Sequence, residues 1–481
     1  MRYNKAHPYT VFEYLSKFSF LFIIPLLQQL IVPPKRLLET LNTFGLNILL
    51  VFIIVAFSIK EYTAINYHSS KSCLYISHGI FLRKRSTIPY KNIHSIAVQQ
   101  SVIPAIFGST KLSLDTPSKK STKADISINL SHKSLKQTLK TICPKASRET
   151  VYTTSIYKII LMSAFWSNSA TGLLFLAPFI NKLGTLIGEE AANRLYSTVN
   201  ISLQLVAFGV PPIAATLAYI LFAGWIISLL LQISRYTGFT VFKFENNILI
   251  RRGLINTYCR ILNINDINAI SIKQSLLMKI FKLESAYINA IGNSKEKGDK
   301  SMLIACASQK SLKKSLYNII PENLFVDINK NALFSVSPKL KTIKSFIFVP
   351  VSILTIGLTI STILYNNSNY EQFIILFMIF IIPVLIWWTI FRIIAYKHSK
   401  VCLYSNNLLI NGFKHLSLVS GNISLNKIQS IQITQNPLQQ KTKRANLKVY
   451  IFSEREDYFI VKHLNLTDVE NLVEKVNNLF N

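Results

Sequence analysis

Cysteine and histidine are scarce, and no metal-ligating pattern can be built from them. The five thiols, Cys73, Cys143, Cys259, Cys306 and Cys402, are scattered along 481 residues with no CxxC pair and no histidine at zinc-finger spacing. This excludes a disulfide framework and implies reduced, partly buried thiols in a reducing compartment, so no metal or cofactor is expected. The eight histidines recur at no common position, and there is no Gly-rich phosphate loop and no nucleophile beside a base. No enzymatic activity is therefore expected. The basic, apolar N-terminus is followed by Val-Pro-Pro-Lys-Arg instead of a small-residue cleavage site, which predicts that the first apolar stretch is retained.

Acidic residues are also few: 22 Asp and Glu stand against 53 Lys and Arg, a net charge of +31, in a chain that is 50% hydrophobic. With a mean hydropathy of +0.33, this combination points to membrane segments joined to basic polar parts. Crossing a hydrocarbon core takes about 20 helical residues. Uncharged runs at 41–59, 159–180, 201–231, 346–365 and 373–391, together with 14–32, which holds only Lys17, predict six spans. Pro211 and Pro212 are expected to kink the fourth or delay its start. The runs fall in pairs, each a predicted hairpin followed by a long polar region. Almost all the excess positive charge lies in the regions 60–158, 235–344 and 392–481, which places them, with both termini, on the cytoplasmic side of a multi-pass membrane protein. Because the runs hold no other ionisable residue, an ion-coupled transporter is disfavoured.

The polar regions repeat one another. Ile93-His-Ser-Ile96-x-Val98-x-Gln100 returns as Ile267-Asn-Ala-Ile270-x-Ile272-x-Gln274 and as Ile428-Gln-Ser-Ile431-x-Ile433-x-Gln435. The later apolar positions alternate, as a half-buried strand requires. Gly79, Gly253 and Gly412 each follow a short aliphatic run upstream of this core and are read as hairpin glycines with positive φ. Each region closes on a helical pattern, with Ser131, Ser308 and Thr467 as candidate N-caps.

Six or seven short strands closed by one helix outline a pleckstrin-homology-like barrel. The strand-plus-Gly at 74–79 and 248–253, Arg-Lys-Arg-Ser-Thr-Ile-Pro at 83–89, the 93–101 core, and Phe107-Gly108-Ser-Thr before Leu-Ser-Leu-Asp-Thr carry a resemblance to bacterial PH domain membrane proteins of the YdbS/YdbT type. The threefold recurrence favours the longer YdbT-like form. The resemblance implies hairpins at 14–59, 159–231 and 346–391, each followed by a PH-like β-barrel with a C-terminal helix, at 60–150, 235–325 and 395–481. It implies no catalytic activity. A role in envelope maintenance or in protection against membrane-active peptides is compatible with it. The second repeat departs from the pattern with Phe-Lys-Leu-Glu-Ser, and the third with Lys-Arg-Ala-Asn-Leu-Lys and no matching glycine.

The candidate contact residues are basic clusters: Arg83, Lys84 and Arg85; Lys119, Lys120 and Lys123; Arg251 and Arg252; Lys295, Lys297 and Lys300; Lys441, Lys443 and Arg444. Each cation near an anionic bilayer contributes about 1 kcal/mol, so together they suit an anionic phospholipid surface. Taken singly, each cluster is better explained by topology and solubility. The recurrent Gln100, Gln274 and Gln435 are read either as anchors for a ligand or partner strand, or as ordinary strand ends. Unknown membrane or cytoplasmic proteins are the other expected partners, with homo- or hetero-oligomers open. Nucleic acid is not expected, because the repeats are aliphatic rather than aromatic between their cations. The competing reading is a lipid or small-molecule transporter, or a membrane enzyme with its site between the hairpins.

Overall fold

The computed structural model describes residues 3–18, 37–80, 82–116, 126–142, 149–166, 212–290, 302–320, 332–364, 374, 382–414, 416–452 and 458–480. Three repeats share one order of elements. The first runs β1 (Asn4–Lys5), α1 (Thr10–Phe18), α2 (Leu37–Ala64), β2 (Asn66–Ser69), β3 (Cys73–His78), β4 (Lys84–Pro89) and β5 (Ser95–Gln100). It ends with α3 (Val102–Ile106), β6 (Ser109–Asp115), β7 (Ile126–Ser131) and α4 (His132–Ile142). The second runs β8 (Glu149–Thr153), α5 (Ile156–Trp166), α6 (Pro212–Tyr236), β9 (Thr240–Phe244), β10 (Asn247–Arg252), β11 (Thr257–Asn263) and β12 (Ile267–Ser275). It closes with α7 (Leu276–Ile280), β13 (Leu283–Ala290), β14 (Met302–Ser308) and α8 (Gln309–Ile319). The third has β15 (Phe334–Val336), α9 (Ile343–Leu364), α10 (Ile382–His398), β16 (Lys400–Leu403), β17 (Asn407–Lys414), β18 (Ser417–Ser424) and β19 (Ile428–Thr434). Its last elements are α11 (Pro437–Lys441), β20 (Arg444–Ile451), β21 (Tyr458–Asn465) and α12 (Leu466–Phe480).

Among the described residues, the structure does not have the expected six spanning helices in three hairpins. Strands outnumber helices, and among the described residues one helix is long and apolar enough to cross a membrane, Leu340–Ile363, with mean hydropathy 2.1. The apolar helices Ile156–Phe165 and Ile220–Tyr236 are shorter. Apolarity elsewhere is used in packing: Ile159 and Met162 of α5 and Phe391 and Ala395 of α10 are fully buried in protein. A run without charge can thus be buried in protein as well as in lipid. Much of the expected spans 14–32, 159–180 and 373–391, and the start of 201–231, lie outside the described residues. Pro212 opens α6, where a missing N–H costs nothing.

Each repeat contributes four strands, then three. The structure adds to the sequence reading a strand ahead of the helices: β1 pairs with β2, and β15 with β16. The described residues divide between two compact units, one drawn from Met1–Glu149, Lys243–Arg251 and Ile255–Asn263, the other from Thr150–Phe242, Arg252–Leu254 and Ile264–Asn481. In the first, the sheet β1-β2-β3-β4 packs on the sheet of β5, β6 and β7 around Tyr67, Leu74, Ile76, Ile96, Leu112, Leu114 and Leu130, with Leu135 of α4 as the lid. In the second, the third repeat builds the same core from Val401, Leu403, Leu408, Ile410, Leu447, Val449 and Val461, closed by Val469, Leu472 and Val476 of α12.

The repeated sequence core is the fifth strand of each barrel, and in the first two repeats it is paired on both edges. β5 pairs with β6 of its own repeat and with β11, the fourth strand of the next, from Ser95↔Leu262 to Gln100↔Thr257. β12 pairs likewise with β13 and with β18, from Ala269↔Ile423 to Ser275↔Ser417. The aligned positions Ser95 and Ala269 face the aligned positions Leu262 and Ile423, so both junctions keep one register. Cores are shared across them: Ile261 of the second repeat packs on the first core, and Ala269 lies in the third.

After each fifth strand comes a five-residue helix capped by Ser101, Ser275 or Asn436. Ser275 Oγ accepts from Met278 N at 3.2 Å, and Asn436 forms a capping box with Gln439. Seven residues beyond the cap the backbone turns left-handed, at Gly108 (φ 67°), Lys282 (φ 54°) and Lys443 (φ 50°). The departures in the second and third repeats therefore keep the turn and lose only the glycine that eases it.

Gly79 (φ 102°) and Gly253 (φ 98°) sit in the expected hairpin turns. Gly412 does not: it lies inside β17, where a Cβ would overlap the Ile460 carbonyl oxygen of β21. Among the caps, Ser131 Oγ accepts from Ser134 N at 3.3 Å, Ser308 holds the N-cap position without a side-chain bond, and Thr467 falls inside α12. The four described cysteines, Cys73, Cys259, Cys306 and Cys402, are free thiols.

Candidate functional site

The basic clusters read from sequence scatter. Arg83, Lys84 and Arg85 are exposed on and beside β4, Arg251 is exposed on β10, and Lys441 and Lys443 are exposed around the end of α11. Arg252 is 7% exposed, its guanidinium 5.3 Å from the Tyr236 ring centroid, which removes it from any surface set. Arg444 is committed to structure: Nη1 donates to Ser345 Oγ at 2.6 Å and Nη2 to Lys341 O at 3.5 Å, tying β20 to the foot of α9. Lys119, Lys120 and Lys123, and Lys295, Lys297 and Lys300, lie outside the described residues.

Two of the recurrent glutamines, Gln274 and Gln435, are backbone ties. Gln274 Nε2 donates to Leu283 O at 3.0 Å, and Gln435 Nε2 donates to Arg444 O, nine residues on in each case. Each clasps the fifth strand to the start of the sixth across the short helix.

A cation cluster that no contiguous motif announces forms in the third repeat. A cleft of about 610 Å³ is lined by Val384, Trp387, Trp388 and Arg392 of α10, Phe413 and Lys414 of β17, Leu416, and Tyr458, Ile460 and Lys462 of β21. Arg392 Cζ stands 5.0 Å from the Phe413 ring centroid and 5.6 Å from that of Trp388. Lys462 Nζ is 5.2 Å from the Phe413 ring, and Lys414 Nζ 4.7 Å from that of Tyr458. The cleft thus has three cations, aromatic and aliphatic walls and, among the described residues, no carboxylate in its lining. Burial, with Arg392 and Lys448 nearby, holds the Lys462 ammonium below its ordinary range. An anion in the cleft would relieve that repulsion, so the site is electrostatically prepared for one.

The cleft adjoins the foot of the one candidate spanning helix. Phe346, near the start of α9, packs its ring 5.8 Å from Phe413 and 4.9 Å from His463. Trp387 is 37% exposed and Leu416 51%, a greasy, aromatic rim of the sort that settles at a membrane–water boundary. The three cations come from a helix and two strands and lie 22 and 48 positions apart, so only the fold assembles them.

Two histidines here are held neutral. Burial, then Lys462, Arg444 and Arg392, push His463 down to about 4, and burial with Lys279 does the same to His398. An unfolded chain titrates these groups near their ordinary value of about 6.5. Between that pH and about 4 the unfolded state binds more protons, so this contribution to stability is present above the window and is lost as pH falls through it. Thermal midpoints of the full chain are expected to drop across that interval, and less steeply when both residues are replaced by glutamine.

The bacterial PH domain family profile matches residues 20–144, 198–318 and 346–479. The UPF0699 transmembrane protein YdbT of Bacillus subtilis (strain 168) is 23% identical over 328 residues, 62% of this chain and 65% of that protein. The chain thus spans just under two thirds of that relative's length. No solved structure matches.

Proposed function

Because this chain belongs to the bacterial PH domain family, with three matched stretches and a transmembrane relative, we propose that it is a membrane-associated binding protein whose third barrel captures an anionic phospholipid headgroup. The observation that carries this reading is the convergence of Arg392, Lys414 and Lys462, with no carboxylate among the described lining residues, beside the foot of Leu340–Ile363. The phosphate would sit among the three cations and the acyl chains along Trp387, Val384 and Leu416. The exposed Arg83, Lys84, Arg85 and Arg251 would add attraction to an anionic cytoplasmic leaflet, which supports a reading with the barrels on that side. The role is binding, without catalysis.

The test is titration of the detergent-solubilised full chain with dihexanoyl phosphatidylglycerol and with its phosphatidylcholine counterpart, following tryptophan fluorescence. Saturable binding of the anionic lipid alone is expected. Replacing Arg392 and Lys462 together by glutamine should remove about 2 kcal/mol of attraction, weakening binding roughly 30-fold. Equal binding of the two lipids, or an unchanged affinity in the variant, would overturn the reading.

A further inference from the structure

Among the described residues, the rule that joins the repeats is left incomplete at one strand of the first repeat and one of the third. The fifth strand of repeat one is covered by the fourth strand of repeat two, and that of repeat two by the fourth strand of repeat three. Among the described residues, the fifth strand of repeat three, β19, is the edge of the sheet β19-β20-β21, and the fourth strand of repeat one, β4, is the edge of β1-β2-β3-β4. Burial follows the pairing. Ser95 and Ala269 are 1% and 0% exposed, whereas their counterpart Ser430 is exposed; Ala97 and Ser271 are 4% and 3% exposed, whereas Gln432 is exposed. On the other side, Cys259 and Ser420 are half-buried, and their counterpart Arg85 is exposed.

We infer that β19 of one copy takes β4 of a second copy, continuing the chain's own junction head to tail between molecules. An open strand edge presents unpaired N–H and C=O groups and is a template for strand addition. The register follows from the two internal junctions, which agree with each other: Ser430 opposite Ile88, Ile431 opposite Thr87, Gln432 opposite Ser86, Ile433 opposite Arg85 and Thr434 opposite Lys84. Pro89, which has no N–H to give, falls just past the paired stretch. β19 is uncharged from Ile428 to Thr434, so Lys84 and Arg85 meet no like charge across the junction. Because the two edges differ, the contact is heterologous and propagates into a closed ring or an open array, unlike an isologous dimer.

Two full-length copies with different tags, one carrying Gln432→Cys and the other Ser86→Cys, would be co-expressed and oxidised in native membranes. Neither residue belongs to a core cluster, so both variants should fold. The expected product carries both tags, doubles the apparent mass without reductant, and is absent from either single variant in the background of the natural cysteines. Moving the second cysteine to Thr87, on the other face of β4, should lose it. Self-linking of Gln432→Cys to Gln432→Cys, or no two-tag product from chains of normal abundance, would overturn the inference.

Discussion

Replacing Arg260 by methionine should cost about 3–5 kcal/mol, the largest single-residue loss expected in the molecule. Arg260 on β11 and Asp115 on β6 come from different repeats, and their side chains are 4% and 6% exposed. Arg260 Nη2 lies 3.8 Å from Asp115 Oδ2 and donates to Ser95 Oγ at 3.3 Å, and that hydroxyl donates to Asp115 Oδ2 at 2.6 Å. Removing the guanidinium leaves a buried carboxylate without its countercharge, which is far more costly than never having had the pair. The second junction shows the uncharged alternative. There the positions of Ser95, Asp115 and Arg260 are held by Ala269, Asn289 and Gly421, and Ser271 Oγ donates to Asn289 Oδ1 at 3.4 Å. Arg260→Met combined with Asp115→Asn should therefore recover much of the loss. Chemical unfolding of the single and double variants measures both, and a single variant within about 1 kcal/mol of the parent would mean the pair is not a lock.

The internal repeat was legible because its apolar spacing has to be kept wherever a strand closes a barrel: Ile96 and Val98, Ile270 and Ile272, Ile431 and Ile433 face the same way three times over. The partner on the strand's second edge was not legible, since strand pairing uses backbone groups that carry no residue code. The six-span expectation failed for a related reason. Hydropathy records that Ile159, Met162 and Phe391 avoid water, and it cannot tell a protein core from lipid. The candidate site is not legible in the sequence, because its cations are not contiguous. Contiguity on a strand sends neighbours to opposite faces, as Arg251 and Arg252 do, whereas Arg392, Lys414 and Lys462 converge from three elements.

Gly412→Ala should be the second severe change, and its severity separates the strand role found here from the turn role read from sequence. In a turn needing positive φ, the added methyl costs about 1 kcal/mol of backbone strain. At Gly412 the φ is not the constraint. β17 passes so close to β21 that the new Cβ overlaps the Ile460 carbonyl oxygen, a backbone atom that cannot rotate away. Relief requires the two strands to part, and β21 carries Val461 and Leu464 of the third core on one side and Lys462 of the cleft on the other. The expected loss is toward the upper end of about 1–3 kcal/mol for overpacking, accompanied by weakened capture of the anionic lipid. Gly421→Ala is the informative comparison, because there the obstacle is the Phe459 ring, a side chain with rotamer freedom. It should destabilise less and leave lipid capture nearly intact. If instead Gly412→Ala lowers stability without touching lipid affinity, the close passage of β17 over β21 supports the barrel alone and the cleft is set by α10.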